Sequence, residues 1–382
     1  IFFRFLLEWP VALNCVMPAK RKAAAAGAGE ASPANPVKKA KKSEKKQGKA
    51  KATADDFDSL HAEGEKYLER MDYENAIGVY EKALALRPRH IETLDMLAEL
   101  CINVDRAEDA HRYLTESAKY APDEAHAKYM YLGQLAESKD ALGFYERGLA
   151  VLKQQYKDCD DDEDREDFEY DLCSACCSIA ELYLTDLCFE SNAEQQVDVW
   201  LQQCKKYNEN FPEMHQLLGS LRISQHKPEE AKEALRKCVD LQLDMEEDGE
   251  KDHDHLPTLH SRVELCKLLL EVNDTEYCKT MLYHELDAED KNPYLWYLLG
   301  QCYSEEGRPT TAMKCFTRAK KHCANADVPD EVVADTDACL QKLRDDHKDA
   351  LDGVDPDGEL TEDEDEEAED EAEDEGAEGA EV

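Results

Sequence analysis

The stretch 292–319 carries the pattern that most constrains how this chain folds. Its first half places side chains at the spacing of one α-helical face, namely Trp296, Leu299, Gly300 and Tyr303. After a turn at 306–309, the same spacing recurs at Ala312, Phe316 and Ala319. The small residues suit positions where two antiparallel helices approach closely, and the aromatic residues suit the space between helix pairs. The stretch therefore predicts a helix–turn–helix unit.

This unit recurs with a period of about 34 residues, which is the period of the tetratricopeptide repeat. Repeats in the same register are predicted at 57–90, 91–124 and 212–245, and another directly before residue 292. Matching offsets in these repeats are occupied by Gly64, Ala76, Tyr80, Ala98, Ala110, Leu114, Gly219, Ala231, Leu235, Cys266, Cys278 and Leu282. One unit alone cannot bury its apolar faces, so neighbouring units are required.

Between the second and the fifth repeat the pattern is irregular. Residues 126–156 have the small residues of a repeat, including Gly133, but a shorter turn. Residues 158–167 predict an acidic linker or an exposed loop. A helix is predicted at 173–189 and its partner helix at about 193–207.

The predicted fold class is all-α, a tetratricopeptide superhelical solenoid of about seven helix–turn–helix repeats over residues 55–351. A second acidic insert is predicted at 246–255. Residues 331–351 predict a solvated terminal helix that closes the repeat array, which favours a monomer. Beyond it, 352–382 is almost wholly Asp, Glu, Gly and Ala, and is predicted to be a disordered acidic tail.

The first sixteen residues differ in character from the segment after them. Residues 1–16 are apolar and aromatic, and Met17 begins a basic segment. No basic region leads the apolar run, and Arg4, Glu8 and Pro10 interrupt it, which disfavours a signal peptide. We expect residues 1–16 to be upstream sequence translated in frame, with Met17 as the true start.

Residues 17–54 are rich in Lys, Ala, Gly, Pro and Ser, and are predicted to be disordered. They contain two basic clusters, which consist of Lys20, Arg21, Lys22, Lys38, Lys39, Lys41 and Lys42. This spacing favours a bipartite nuclear import signal that an import receptor binds, and hence a protein that shuttles between cytoplasm and nucleus. The alternative is a solvated tail that contacts RNA weakly.

Charge is distributed unevenly along the chain, whose net charge is −42. Residues 17–54 hold eleven Lys and Arg against two acids, and 352–382 hold eighteen acids and no base. Because the charges of residues 1–16 cancel, the repeat region carries a net charge of about −33. Self-repulsion on this scale opposes compaction. Such a solenoid would repel nucleic-acid phosphates, so a strongly basic protein partner is predicted. No membrane association is predicted.

In repeats of this kind the first helix of each pair lines an inner groove. The residues predicted to line it are Asp58, Glu65, Glu92, Asp95 and Glu99 near one end, and Tyr294, Tyr297 and Gln301 near the other. Carboxylates can accept hydrogen bonds from Lys and Arg, and Tyr faces can stack on guanidinium groups. An ordinary solvated helix surface is the alternative for any single carboxylate, but a row of five favours a binding site.

The cysteines and histidines do not predict a metal site. The chain has 15 Cys spread through the repeats, which suits unpaired core thiols in a reducing compartment. Cys173 and Cys176 form a C-x-x-C pair on a helix without the second pair that zinc requires. His253 and His255 lie in an acidic insert that predicts an exposed loop. Phosphate loops and hydrolase motifs are missing from the sequence, so no cofactor and no enzymatic activity is predicted.

Two runs in the middle of the chain are not generic repeat sequence. They read CSACCSIAELYLTDLCFESNAE at 173–194 and LLGSLRISQHKPEEA at 217–231. With the unit around Trp296 and the acidic end, they resemble the dedicated assembly chaperones of large-subunit ribosomal protein four, over about 57–382. The resemblance implies a superhelix that captures the long, basic, aggregation-prone loop of the new ribosomal protein. It also implies escort to the nucleus and release onto the nascent large subunit.

Two other functions stay open at this point. A chaperone for histones or other basic proteins would need the same electrostatics. A tetratricopeptide adaptor for the C-terminal carboxylates of heat-shock chaperones would need Lys and Asn in the groove, where this chain has His61, Glu65 and Met96. The basic front segment and the insert at 246–255 have no counterpart in the resemblance.

Overall fold

The computed structural model describes residues 56–247, 256–323, 330–348, 350–358 and 360. Within these ranges the chain forms fifteen helices and no strand, which confirms the all-α class. The helices divide into two compact units, one ending at Glu209 and one beginning at Asn210. The segments predicted at 1–16 and 17–54 lie outside the described residues, as does most of the predicted tail.

In the first unit each helix packs against the next one along the chain. Its helices are α1 (56–68), α2 (Tyr73–Leu86), α3 (Ile91–Asn103), α4 (Ala107–Tyr120), α5 (Ala127–Gln134), α6 (Ser138–Asp158), α7 (Asp162–Leu184) and α8 (Ala193–Tyr207). Apart from the acidic stretch before α7, these helices lie where the repeat register predicts them.

The second unit continues the same order of packing. Its helices are α9 (Pro212–Ser224), α10 (Pro228–Glu247), α11 (Leu259–Glu271), α12 (Thr275–Ala288), α13 (Pro293–Glu305), α14 (Pro309–Cys323) and α15 (Asp330–Asp346). The pairs α9–α10, α11–α12 and α13–α14 are the fifth, sixth and seventh repeats. The acidic insert predicted from residue 246 begins inside α10, and 248–255 lie outside the described residues.

Close approach of the two helices in a repeat explains the small residue in the first helix. A Cβ on Gly64 would lie 2.6 Å from the ring of Tyr80, and a Cβ on Gly300 would lie 2.7 Å from the ring of Phe316. Both aromatic rings are buried. The glycine is therefore required by the neighbouring ring and not by its own backbone conformation.

The irregular third repeat keeps this contact with a shorter connection. A Cβ on Gly133 would lie 2.6 Å from the ring of Tyr145, twelve residues later in the sequence. In the regular repeats the corresponding partners are sixteen residues apart. The four missing residues correspond to about one helical turn, so the helices retain their facing residues although α5 is short.

The turns within repeats share a backbone feature. The first helix of five repeats is followed by a residue with positive φ, namely Met71, Asp105, His226, Asn273 and Gly307. A left-handed residue at this place ends a helix and turns the chain back. Gly307 adopts this conformation without steric cost, whereas the other four do so as non-glycine residues.

The prediction for the acidic stretch 158–167 was wrong in part, because α7 begins at Asp162. Phe168 and Leu172 are buried, so the apolar stripe that was predicted to begin at Cys173 extends further toward the amino end. The acidic residues before Phe168 continue that helix as its first turns. At the other end α7 stops at Leu184, and a turn carries the chain to α8.

The boundary predicted at residue 352 also differs from the structure. The terminal helix α15 ends at Asp346, and the residues after it fold back onto the second unit. Leu351, Val354 and Leu360 are partly buried against the apolar core of that unit. These apolar side chains explain why the folded part continues past the predicted start of the tail.

We expect Gly300→Ala to lower the free energy of unfolding by about 1–3 kcal/mol, because the new Cβ overpacks the buried Phe316 ring. Gly78 on α2 has no atom within 4 Å of an added Cβ, so Gly78→Ala should be neutral or stabilise by up to about 1 kcal/mol. Urea denaturation followed by circular dichroism measures both. Equal stability of the two variants would contradict the close-approach argument.

Candidate partner-binding surface

The helices α1 and α3 place the predicted carboxylates of the first unit. Asp58 and Glu65 on α1 and Glu92 on α3 are exposed, and Glu99 on α3 is half-buried. Asp58 lies 3.7 Å from a guanidinium nitrogen of Arg87, and both side chains remain largely accessible. These positions present acceptor oxygens to solvent on neighbouring first helices of two repeats.

A cluster of rings around the buried Phe57 fixes α1 on α3 beneath these carboxylates. Phe57 is buried, and its ring centroid lies 4.5 Å from that of His61 and 4.8 Å from that of His90. The hydroxyl of Thr93 lies 2.7 Å from Nε2 of His61 and 2.9 Å from Nδ1 of His90. The guanidinium of Arg87 covers the Phe57 ring at 3.8 Å. The surface carboxylates thus stand on a rigid support.

This cluster contains a titratable group with a shifted pKa. Burial lowers the pKa of His61, and the neighbouring His90 lowers it further, while Glu65 and Glu92 oppose the shift. The folded protein therefore favours the neutral form of His61 more than the unfolded chain does, which suits the contact with the Thr93 hydroxyl. The sequence placed His61 at a groove position, and the structure makes it part of the support beneath the groove.

Asp95, which was predicted to line the groove, is less exposed than its neighbour Glu92. Asp95 is half-buried, and its Oδ1 is covered and has no hydrogen-bond partner among the described residues. Burial raises the pKa of Asp95, which the Ser117 hydroxyl and the ammonium of Lys128 partly offset. Lys128 itself is only 2% exposed, and its Nζ donates to the carbonyl of Ala121 at 2.7 Å. Asp95 thus balances a cation of its own chain.

Lys128 is a residue that the sequence analysis missed. It lies on α5 among buried residues, and its Nζ also contacts Oγ of Ser117 at 3.3 Å. A Lys that interrupts the apolar face of a short helix is the signal that could have identified it, because such a charge requires an internal partner.

In the second unit the aromatic pair predicted to bind a partner already holds a cation. The rings of Tyr294 and Tyr297 stack at 5.8 Å with an interplanar angle of 27°. Nζ of Lys267 on α11 lies 5.3 Å from the centroid of Tyr294. The same Nζ donates to Glu264 at 2.6 Å. A guanidinium from a partner would therefore have to displace Lys267 from the Tyr294 ring.

Tyr297 was wrongly predicted to line an open groove, because it is only 9% exposed. Burial raises its pKa, and Cys339 and Asp335 of α15 raise it further, which places the terminal helix beside the phenol. The Tyr297 hydroxyl accepts a hydrogen bond from Nε2 of Gln301 at 2.7 Å. The repeat register predicted on which face of α13 the Tyr297 side chain lies. It did not predict that α15 lies beside that side chain.

Metal binding and membrane insertion find no support in the part of the chain that the structure describes. Across the described ranges, no three His, Cys, Asp or Glu side chains are grouped closely enough to hold a metal ion. Cys173, Cys176 and Cys177 are buried in the core of the first unit. Among the same residues, no helix combines the length and the apolar composition that crossing a membrane requires.

Comparison with known proteins agrees with the repeat register. The family described as tetratricopeptide repeat matches residues 67–135, 212–245 and 293–321. The matched regions carry the tetratricopeptide repeat pattern. These matches overlap the first, second, third, fifth and seventh of the repeats that small-residue spacing predicts.

The related proteins share one description. A Schizosaccharomyces pombe protein named "Probable assembly chaperone of rpl4" is 33% identical over 214 residues, which cover 55% of this chain and 62% of the relative. An Emericella nidulans protein of the same name is 22% identical over 241 residues and covers 59% of each chain. The chain thus matches about three-fifths of the length of these curated relatives.

A solved structure supports the same resemblance. The structure described as "Assembly Chaperone of RpL4 (Acl4) (Residues 1-338)" superposes with a TM-score of 0.58 at 25% sequence identity. The match covers 66% of this chain and 96% of the solved chain. The resemblance predicted from residues 173–194 and 217–231 is confirmed.

Because the folded-state pKa of His61 is lowered, the unfolded chain binds its proton first as the pH falls. The stability that neutral His61 contributes is present above about pH 6.5 and is lost as the pH falls toward the folded-state pKa. We expect His61→Gln to reduce the loss of unfolding free energy between pH 7.5 and 5.5, measured by urea denaturation.

The exposed His111 on α4 supplies the matched control for this measurement. His111→Gln removes an imidazole that is open to solvent and is the reference against which the slope of His61→Gln is compared. An unchanged slope in His61→Gln would show that His61 is not the group responsible.

Proposed function

We propose that this chain is an assembly chaperone that binds and shields the basic loop of newly made large-subunit ribosomal protein four. The observation that carries the proposal is the row of exposed carboxylates on α1 and α3, supported by the ring cluster of Phe57, His61 and His90. The names of the relatives support the identity of the client, and the net charge of −42 supports its basic character.

The mechanism depends on charge and exposure. A loop that evolved to neutralise RNA phosphates carries Lys and Arg side chains that repel one another without RNA. Glu65 and Glu92 can accept hydrogen bonds from such side chains because both are exposed, whereas Asp95 is half-buried and already interacts electrostatically with Lys128. A single exposed ion pair contributes only about 0.2–1 kcal/mol, so binding requires several carboxylates at once. Weak individual pairs also allow the client to leave when ribosomal RNA competes with a denser charge.

The contribution of the second unit differs from the one that the sequence suggested. Tyr294 already carries Lys267 on its face, and α15 covers Tyr297. In the proposed complex, Gln301 and these two residues support the inner helices of the unit, and the first contacts with the client fall on the first unit.

We further propose that the chain acts as a monomer, without a cofactor and without catalysis. Its relatives are named chaperones, and the repeat fold is used here to hold a partner. Transport into the nucleus would use the basic clusters of residues 17–54, which lie outside the described residues and are bound by an import receptor in this scheme.

The proposal is tested by reversing exposed charge on the first helices. We expect Glu65→Lys with Glu92→Lys to weaken binding of a peptide from the basic loop of ribosomal protein four about tenfold, because attraction becomes repulsion. Fluorescence anisotropy measures the dissociation constant. Affinity of the unsubstituted protein should fall with added salt, since exposed charges are screened over about 8 Å at physiological ionic strength.

The matched control is Glu108→Lys with Glu116→Lys, which makes the same charge change at exposed positions of the second helix α4. If this control weakens binding equally, net charge and not the α1–α3 surface binds the client. A histone tail peptide of equal charge serves as the competitor. Equal affinity for both peptides would favour a general chaperone of basic proteins and contradict a dedicated one.

Nuclear import is tested separately. A fluorescent reporter fused to residues 17–54 is expected to accumulate in the nucleus. Replacing Lys38, Lys39, Lys41 and Lys42 by Ala should leave the reporter in the cytoplasm, because a bipartite signal needs both clusters. Unchanged nuclear accumulation would contradict the proposed signal.

A further inference from the structure

The helix α14 is basic although the chain as a whole is strongly acidic. From Pro309 to Cys323 it contains Lys314, Arg318, Lys320 and Lys321, and no Asp or Glu. A basic helix on a chain of net charge −42 attracts any acidic segment within reach. The structure shows which segment lies there.

Residues 351–358 and 360 fold back onto this helix. Nη2 of Arg318 donates to the carbonyl of Gly358 at 3.0 Å, and Nζ of Lys321 donates to Asp357 at 2.8 Å. A Cβ on Gly358 would lie 3.4 Å from Cε of Lys314, so that lysine lies directly beside the segment. The guanidinium of Arg318 also lies 5.0 Å from the ring of Trp296 on α13.

The segment has a defined conformation of its own. The backbone N–H of Asp357 donates to Oδ1 of Asp355, and the N–H of Gly358 donates to the carbonyl of Asp355, both at 3.1 Å. Gly353 has a φ of +84°, which glycine adopts readily. Val354 and Leu360 are partly buried against the core, so apolar contacts flank the acidic turn on both sides.

We propose that Lys314, Arg318 and Lys321, together with Trp296, form a binding site for an extended acidic peptide, and that residues 354–358 and 360 belong to its exchangeable internal occupant. The cations recognise carboxylates and backbone carbonyls, the Trp296 ring lies beside the Arg318 guanidinium, and the apolar edge takes one aliphatic side chain at each end. This inference rests on the second unit alone and is independent of the proposed client.

Exchange is possible because an ion pair that holds the segment is open to solvent. Lys321 and Asp357 are both largely exposed, so their ion pair is screened and weak. The covalent connection to α15 keeps the segment bound, because it supplies an effective concentration of about millimolar. An acidic segment of another protein at comparable concentration would compete for the same cations.

The test uses the full chain and a fluorescent peptide with the sequence of residues 351–360. Val354→Ser with Leu360→Ser removes both apolar anchors and should free the site. We expect this detached variant to bind the peptide at least about tenfold more tightly than the unsubstituted protein, in which the internal segment competes. Equal affinity of the two proteins would overturn the proposal.

A matched pair of charge reversals assigns the binding to the proposed cations. Lys321→Glu in the detached variant should weaken peptide binding about fivefold or more, because it turns the Asp357 contact into repulsion. Lys320→Glu changes the same charge on an exposed neighbour that pairs with Asp337 of α15, and should leave the affinity unchanged. Equal effects of the two reversals would overturn the site.

Hydrogen exchange provides a readout that does not depend on the peptide. In the unsubstituted protein the amide of Gly358 should be protected, and it should exchange faster in Lys321→Glu than in Lys320→Glu. Equal exchange in these two variants would contradict docking on Lys321. An oligoribonucleotide is the alternative ligand, and if the detached variant bound it in preference to the acidic peptide, the proposed partner class would be wrong.

Discussion

The contact between a small residue on the first helix of a repeat and a large side chain on the second controls the rest of this structure. It sets how closely two helices approach at Gly64 with Tyr80 and at Gly300 with Phe316. Once that distance is fixed, the exposed side of each first helix is fixed with it. The third repeat shows that this contact takes precedence over repeat length, since it loses about one helical turn and still places Tyr145 on Gly133. The acidic surface of the first unit therefore depends on packing that carries no charge.

The charged side chains differ in whether they can leave their partners. Lys128 and Lys267 lie on the inner helices α5 and α11, and each is held by partners within the chain. A buried charge that loses its partner destabilises the fold strongly, so Lys128 in particular remains where it is. Exposed carboxylates such as Glu92 lose little hydration free energy when a partner's cation replaces water beside them. The difference between a structural charge and a binding charge is thus one of burial, and it separates Asp95 from its neighbour Glu92 on the same helix.

Helical periodicity in the sequence predicted most of the fold, because the spacing of small and aromatic residues is set by contacts within a single repeat. The spacing of small and aromatic residues was sufficient to predict the helix pairs around Gly64 and Gly300. The failures share a physical cause, which is that they depend on segments distant in sequence. The register gave the direction of Tyr297 correctly, but α15 covers it, and Phe168 extended α7 into a stretch that composition alone marked as a loop. The exposed carboxylates were predictable because nothing distant packs on them.

The basic helix α14 presents a problem that the segment after α15 resolves. On a chain of net charge −42, an uncovered row of cations would attract the acidic surface of a second copy. Such a contact joins two different surfaces, and contacts of that kind propagate into open assemblies instead of closing. Arg318 and Lys321 contact residues 357 and 358 of their own chain, so the attraction is satisfied within one molecule. The same cations that would promote self-association therefore retain the acidic segment, and the acidic surface of the first unit stays available for a basic partner.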